Sequence, residues 1–169
     1  MSDLLVRAAT PGDSRCIATV HVQSWREART EQVPAALVEQ LDVELSEWRW
    51  AARLRGETPR GGERLGDTWV ALADGHVIGF SSGGPTRDAD RPRSEPELYA
   101  LYVLASHYGT GAGAALLEAA IGTGAASLWV LSDNERAIAF YLKHGFAPDG
   151  AVRTDGRWGG SLTELRLTR

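Results

Sequence analysis

One cysteine, one methionine and one lysine among 169 residues leave little material for several kinds of chemistry. Cys16 has no second cysteine to pair with, so no intrachain disulfide forms, and no Cys/His cluster has the spacing of a zinc site. No metal is expected. Apolar runs break well short of the roughly 20 residues a membrane helix needs, and no basic stretch followed by an apolar core opens the sequence. The chain therefore reads as cytoplasmic, with no membrane partner. Basic charge is not in excess either: 18 Lys and Arg face 22 Asp and Glu, for a formal net charge of -4. Nothing in that balance attracts phosphate backbones, so nucleic acid is not an expected partner. The scarcity of lysine beside abundant Ala, Gly and Arg suggests a GC-rich bacterial genome.

What is present is enough apolar material, 43% of residues, for one ordinary core, and the length favours a single domain over residues 1–169. "LLVRAAT" reads as a first strand, and "PGD" as a turn whose Asp13 can cap the helix "IATVHVQSWREA". In "PAALVEQLDVELSEWRWAARL", Leu37, Leu41, Leu45, Trp48 and Leu54 fall at three- and four-residue spacings, as in an amphipathic helix or a broken helix pair. Residues 55–67 read as a loop. "TWVALAD" and "HVIGFSSGG" form a hairpin, "PTRDADRPRSEP" a mobile connection, and "ELYALYVL" the strongest strand. A helix over 111–122 follows, then the strand "SLWVLS", a helix that Asn134 caps and Gly145 closes, and two last strands, "GAVRT" and "LTELRLTR". Hairpins mixed with one strand-helix-strand crossover predict an α+β sheet of mixed direction, without the strict alternation of a doubly wound fold.

The turn Gly109-Thr110-Gly111-Ala112-Gly113 joins the strongest strand to a helix and has almost no side chain above it. Its N–H groups, with those that a helix start leaves unpaired, make a lining of donors under partial positive charge. The fitting occupant is an anion such as phosphate or pyrophosphate. No "GK[ST]" follows, as a nucleotide-hydrolysing loop requires, and the turn lies mid-chain, not after a first strand in a βαβ repeat.

"YGTGAG" after the "LYV" strand resembles the acyl-CoA signature of the GNAT superfamily of N-acetyltransferases, with Tyr108 where Arg or Gln is usual. "DNERAIAFYLKHGF" resembles the family's second signature, and "HVQSWREA" followed by "VPAALVEQLD" the first two helices of small bacterial members. The resemblance spans nearly the whole chain. It implies a three-layer αβα fold: a mixed, mostly antiparallel central sheet of about seven strands with a splayed central parallel pair. It also implies acetyl-CoA as cosubstrate.

The same resemblance implies roles for individual residues. Tyr141 stands beside the thioester sulfur as general acid, and Glu97 is the candidate base for the amine proton. The pantetheine arm pairs with Leu101, Tyr102 and Val103, and the pyrophosphate lies on the main chain of Tyr108, Gly109, Thr110, Gly111, Ala112 and Gly113. Arg136 and Lys143 face the outer phosphates, while Ala137 and Phe140 belong to the second signature's CoA contacts. Asn134 either holds ligand in the cleft or only caps its helix. Trp25, Arg26, Tyr99 and the loop 83–96 face the acceptor, expected to be a small-molecule amine. Acetylation of a protein amino terminus or lysine, and a CoA sensor without transfer, stay open. A toxin acting on charged tRNA fits poorly with the acidic balance. No serine lies in a nucleophile-elbow sequence and no His pairing suggests a triad, so direct transfer is expected over an acyl-enzyme. The final strand is read as an exposed edge through which a homodimer forms.

Overall fold

β-Branched and aromatic runs become strands, and the segments with helical spacing become helices. The computed structural model describes residues 3–28, 31–57, 66–155 and 162–169. Its elements are β1 (Leu4–Ala8), α1 (Ser14–Glu27), α2 (Ala35–Glu39), α3 (Val43–Leu54), β2 (Asp67–Ala73), β3 (His76–Pro85), β4 (Pro96–Val103), α4 (Ala112–Ile121), β5 (Ser127–Leu131), α5 (Glu135–Lys143), β6 (Ala147–Asp155) and β7 (Leu162–Thr168). The second helical region is thus the broken pair, α2 and α3. Asp42 starts α3 by accepting the Leu45 N–H at 2.7 Å. Asp13 precedes α1 without capping it: its carboxylate turns back to Thr10 and takes the Arg7 guanidinium. The hairpin turn between β2 and β3 uses Asp74 (φ 51°) and Gly75 (φ 79°), the left-handed pair that suits the strand twist. Of the expected loop over 55–67, residues 58–65 lie outside the described residues.

The strands form one seven-stranded sheet in the order β1-β2-β3-β4-β5-β7-β6, antiparallel except for β4 and β5. Helices cover both faces. On one, Ile17 and Val20 of α1 and Trp50 of α3 meet Val70 and Phe80. On the other, Ala112 and Leu116 of α4 meet Ala71 and Ile78, while Leu117 of α4 and Tyr141 of α5 meet Leu98, Leu128 and Leu167. Each fully buried Leu or Phe here contributes about 1.5–3 kcal/mol. Small residues on β3 let α4 come close: a Cβ at Gly83 would meet the Ala120 carbonyl oxygen at 2.8 Å, and the Ser81 hydroxyl donates to the Leu116 carbonyl at 2.9 Å.

Two features of the sheet position the site. β4 and β5 share only the pairs Glu97 with Ser127 and Leu98 with Leu128, after which they part. At the same point the register against β3 jumps from Gly83–Leu98 to Ser82–Ala100, so Tyr99 is a bulge that bends β4 as it leaves β5. The sheet opens into a V.

Two expectations need correction. β7 is not an edge, because it pairs with β5 on one side and β6 on the other, and β1 and β6 are the strands that end the sheet. The connection 86–95, mobile by composition, is tied down by charge. The buried Arg166 guanidinium bonds Asp149 (2.7 Å), Asp90 (2.7 and 2.6 Å) and Asp88 (3.3 Å), and Arg91 pairs with Glu95.

Candidate active site

The V between β4 and β5 continues into a cavity of about 760 Å³. β4, β5 and α5 supply one half of its lining, and α1, α3, the 86–95 connection, β6 and β7 complete it.

Outside the cavity lining, the surface at the start of α4 is built from backbone. Gly109 (φ 78°) and Gly111 (φ 92°) hold left-handed conformations, and the space beside both is open, since a Cβ at either would meet nothing within 4 Å. The Thr110 hydroxyl turns inward to the His107 carbonyl at 2.8 Å, leaving the turn bare. The first N–H groups of α4 face outward from it with no intrahelical acceptor, as at any helix start. Gly113 works differently: its Cβ would meet the Phe140 ring at 3.3 Å, so its smallness joins α4 to α5. Phe140 lies against His144 (4.3 Å between ring centres) and does not line the cavity. Arg136 lays its guanidinium 3.8 Å over the Tyr108 ring, so a cation reaches position 108 from α5. Lys143 is exposed at the far end of α5.

Where the halves meet, Leu101, Tyr102, Ala137 and Tyr141 line the cavity. Val103 packs towards α4. Burial raises the pKa of Tyr141, which keeps its phenol protonated at neutral pH. Asn134 caps α5, accepting the Ala137 N–H at 3.1 Å, and it also lines the cavity.

The other half is built from side chains. Trp25 and Tyr99 line it, whereas Arg26 turns to the Leu41 carbonyl at 3.2 Å and stays outside. Glu97 is fully buried and does not reach the cavity surface. One of its oxygens takes the Arg87 N–H at 2.7 Å and the other the Arg87 guanidinium, at 3.1 Å from Nε. The same guanidinium lies 4.2 Å over the Tyr99 ring.

Sequence reasoning covered Arg87 only as part of the loop 83–96 and passed over His21, Trp50, Arg53, Trp129 and Arg153; all six line this half. Only Trp129 carried a signal, as the alternate residue between the core-facing Leu128 and Val130. Its indole N–H donates to Asp88 at 3.0 Å, and Arg153 lies 4.3 Å over its ring. The Trp25 indole N–H donates to His21 Nε2 at 3.1 Å, which puts the imidazole proton on Nδ1. Burial, with the Arg53 charge adding to it, lowers the His21 pKa to about 4.

Glu31 and Gln32, ahead of α2, bond to the far side of the V. The Gln32 amide donates to Asp133 (2.9 Å), Ser132 (3.0 Å) and the Thr163 carbonyl (3.3 Å), and accepts the Thr163 N–H at 2.5 Å. It thereby joins the helical layer to β7. Among the described residues, no group of three or more His, Cys, Asp or Glu side chains is placed to hold a metal ion, and no helix is long and apolar enough to cross a membrane.

Residues 22–146 match the acetyltransferase (GNAT) family. YuaI, an uncharacterized N-acetyltransferase of Bacillus subtilis, is 35% identical over 143 residues, covering 80% of this chain and 76% of the relative. A probable N-acetyltransferase of Mycobacterium tuberculosis is 31% identical over 157 residues, 90% of this chain and 85% of the relative. Among solved structures, a GCN5-related N-acetyltransferase of Rhodopseudomonas palustris superposes with a TM-score of 0.71 at 22% identity, covering 100% of this chain and 96% of that one. The putative acetyltransferase yncA of Salmonella typhimurium, solved with acetyl-CoA, does so with a TM-score of 0.67 at 19% identity, covering 99% and 94%.

Proposed function

The chain belongs to the GNAT family of N-acetyltransferases, and from that premise we propose that residues 1–169, as one unit, move an acetyl group from acetyl-CoA to the primary amine of a small molecule by direct attack. The observation that carries the proposal is that Tyr141 and the parted edge of β4 share one cavity with Trp25, Tyr99 and Trp129. Both substrates then meet without a covalent relay.

The residues present fit acetyl-CoA. The bare turn at Gly109 and Gly111 and the start of α4 suit a pyrophosphate, Arg136 over Tyr108 adds a cation, and the edge of β4 beyond Leu98 suits an extended amide-bearing arm. When bound, acetyl-CoA supplies the acetyl group: the amine nitrogen bonds the acyl carbon, the carbon–sulfur bond breaks, and its electron pair goes to sulfur. The Tyr141 hydroxyl delivers the proton that the sulfur takes up. Leu101 and Tyr102 align the arm, and Asn134 steadies the cleft from the start of α5. Because Arg87 occupies both oxygens of Glu97, we assign Glu97 a positioning role, holding Arg87 over Tyr99, and give the proton lost by the amine to water in the cavity.

Thiol release from acetyl-CoA, followed across amino acids, polyamines, aminoglycosides and short peptides, tests the reading. Release with one class of small amine is expected, and release only with peptides or with none sinks it. In that assay Tyr141→Phe lowers kcat about 100-fold while the Kd for acetyl-CoA stays within about twofold; an unchanged kcat removes Tyr141 from the chemistry.

A further inference from the structure

Among the described residues, the charged side chains that line the cavity are unequal in number and in occupation. Four are arginines, Arg49, Arg53, Arg87 and Arg153, and two are glutamates, Glu57 and Glu164. Both glutamates are already engaged: Glu164 takes Arg153 Nε at 2.6 Å, and Glu57 takes Arg55 Nε at 2.7 Å. Among the described residues no carboxylate of the lining is therefore left over to receive an ammonium group. A cationic amine would find aromatic walls here without a free carboxylate beside them.

Arg53 is the opposite case. It extends from α3 over Trp50, 4.6 Å from the ring centre, and no described residue offers it a carboxylate. Burial lowers its pKa and the like charge of Arg87, which lines the same cavity, lowers it further. Arg87 gives Nε and Nη2 to Glu97 and retains Nη1. The neighbouring His21 is neutral at pH 7 and adds no charge. Two guanidinium groups in one partly dry wall repel each other, and an anion seated between them turns that repulsion into two charge-assisted contacts. Their planar forks match a carboxylate or another two-oxygen anion.

Building on the proposed acetyl transfer, we infer that the acceptor is an amine that also bears a carboxylate or similar oxyanion, an amino-acid-like molecule whose anionic end sits between Arg53 and Arg87. The aromatic lining then faces the rest of the acceptor, and its amine points to the Tyr141 end of the cavity. A polyamine, with ammonium groups at both ends, meets arginines where it needs carboxylates.

The test compares L-amino acids with their C-terminal amides, which keep the α-amine and lose the negative charge. Thiol release from acetyl-CoA is expected to show kcat/KM at least tenfold higher for an accepted acid than for its amide. Arg53→Gln brings that ratio to within about threefold through KM, and Arg53→Lys restores part of it; acetyl-CoA affinity serves as the check that the variants are folded. Binding supplies an independent arm. With the protein saturated with CoA, the acid quenches tryptophan fluorescence with a Kd at least tenfold below that of the amide. Amides or simple amines that react or bind as well as the acids overturn the inference and leave the transfer reading standing. Acids that bind tenfold more tightly but release no CoA support the inference and count against the transfer reading. An Arg53→Gln protein that keeps the full preference also overturns it.

Discussion

The glycine turn and the cavity are made of different material. The first is a bare turn and a helix start outside the cavity lining, with side chains mostly removed from the surface. The second is lined almost entirely by side chains, brought from α1, α3, the 86–95 connection and β5 to β7, and held by interlocking arginines and carboxylates. On the proposed function, backbone serves the part of the ligand that never changes, and side chains serve the acceptor, because each can be replaced without altering the fold.

If that contrast is right, titrating or removing single side chains disturbs the acceptor half most. His21 gives the largest effect. The unfolded chain takes up its proton below an ordinary value of 6.5, while folding holds His21 neutral down to about 4. Protons then bind the unfolded state better across that interval, so stability is complete above about 6.5 and falls on the order of 3 kcal/mol as pH drops to about 4. Urea unfolding at pH 7, 5.5 and 4.5 measures the slope, and a flat profile means the ring is not sealed. Asp13 belongs to a lower window. The hydrogen bonds from Arg7 pull its pKa from 3.8 to about 2, so its contribution is lost only as pH falls from about 4 towards 2.

Next in size is Arg166→Ala, which leaves Asp88, Asp90 and Asp149 without their shared cation. A loss of about 2–3 kcal/mol in denaturant unfolding is expected, less than for a fully dry pair because Asp90 is largely exposed, together with new protease cleavage within 86–95. An uncut connection would show that the network is not what fixes it. The smallest effect on folding comes from the glycine turn. Gly111→Val puts a branched side chain at φ 92°, costing about 1–2 kcal/mol, but into space where the protein itself has nothing to clash. Calorimetry should therefore show its main damage in acetyl-CoA binding, at least tenfold weaker; unaltered binding would mean that the ligand does not use this turn.

The same contrast decides what the sequence revealed. The glycine turn, the hairpin, the Asn134 cap and the parting of β4 from β5 follow from local residue order, or from a resemblance carried by contiguous motifs. The acceptor half depends on partners far apart in the chain: Arg166 and Asp88 are separated by 78 positions, and Gln32 and Thr163 by 131. Composition also misleads there, since a stretch of Pro, Arg and Asp reads as mobile when its partners are invisible. The resemblance that offers Glu97 as the base says nothing of Arg87, which pairs with it across a loop. Calling β7 an edge failed for a related reason, since chain order puts it last while the sheet order puts β6 outside it.

The shortness of the β4–β5 pairing reaches beyond catalysis. A sheet left unzipped near its middle offers an open edge, and a ligand that needs the folded edge binds only the folded chain. At a concentration one hundred times its Kd, such a ligand adds about 2.7 kcal/mol to stability. On the proposed function acetyl-CoA is that ligand, so a fall in its supply is expected to leave more of the chain unfolded at any moment and open to proteases.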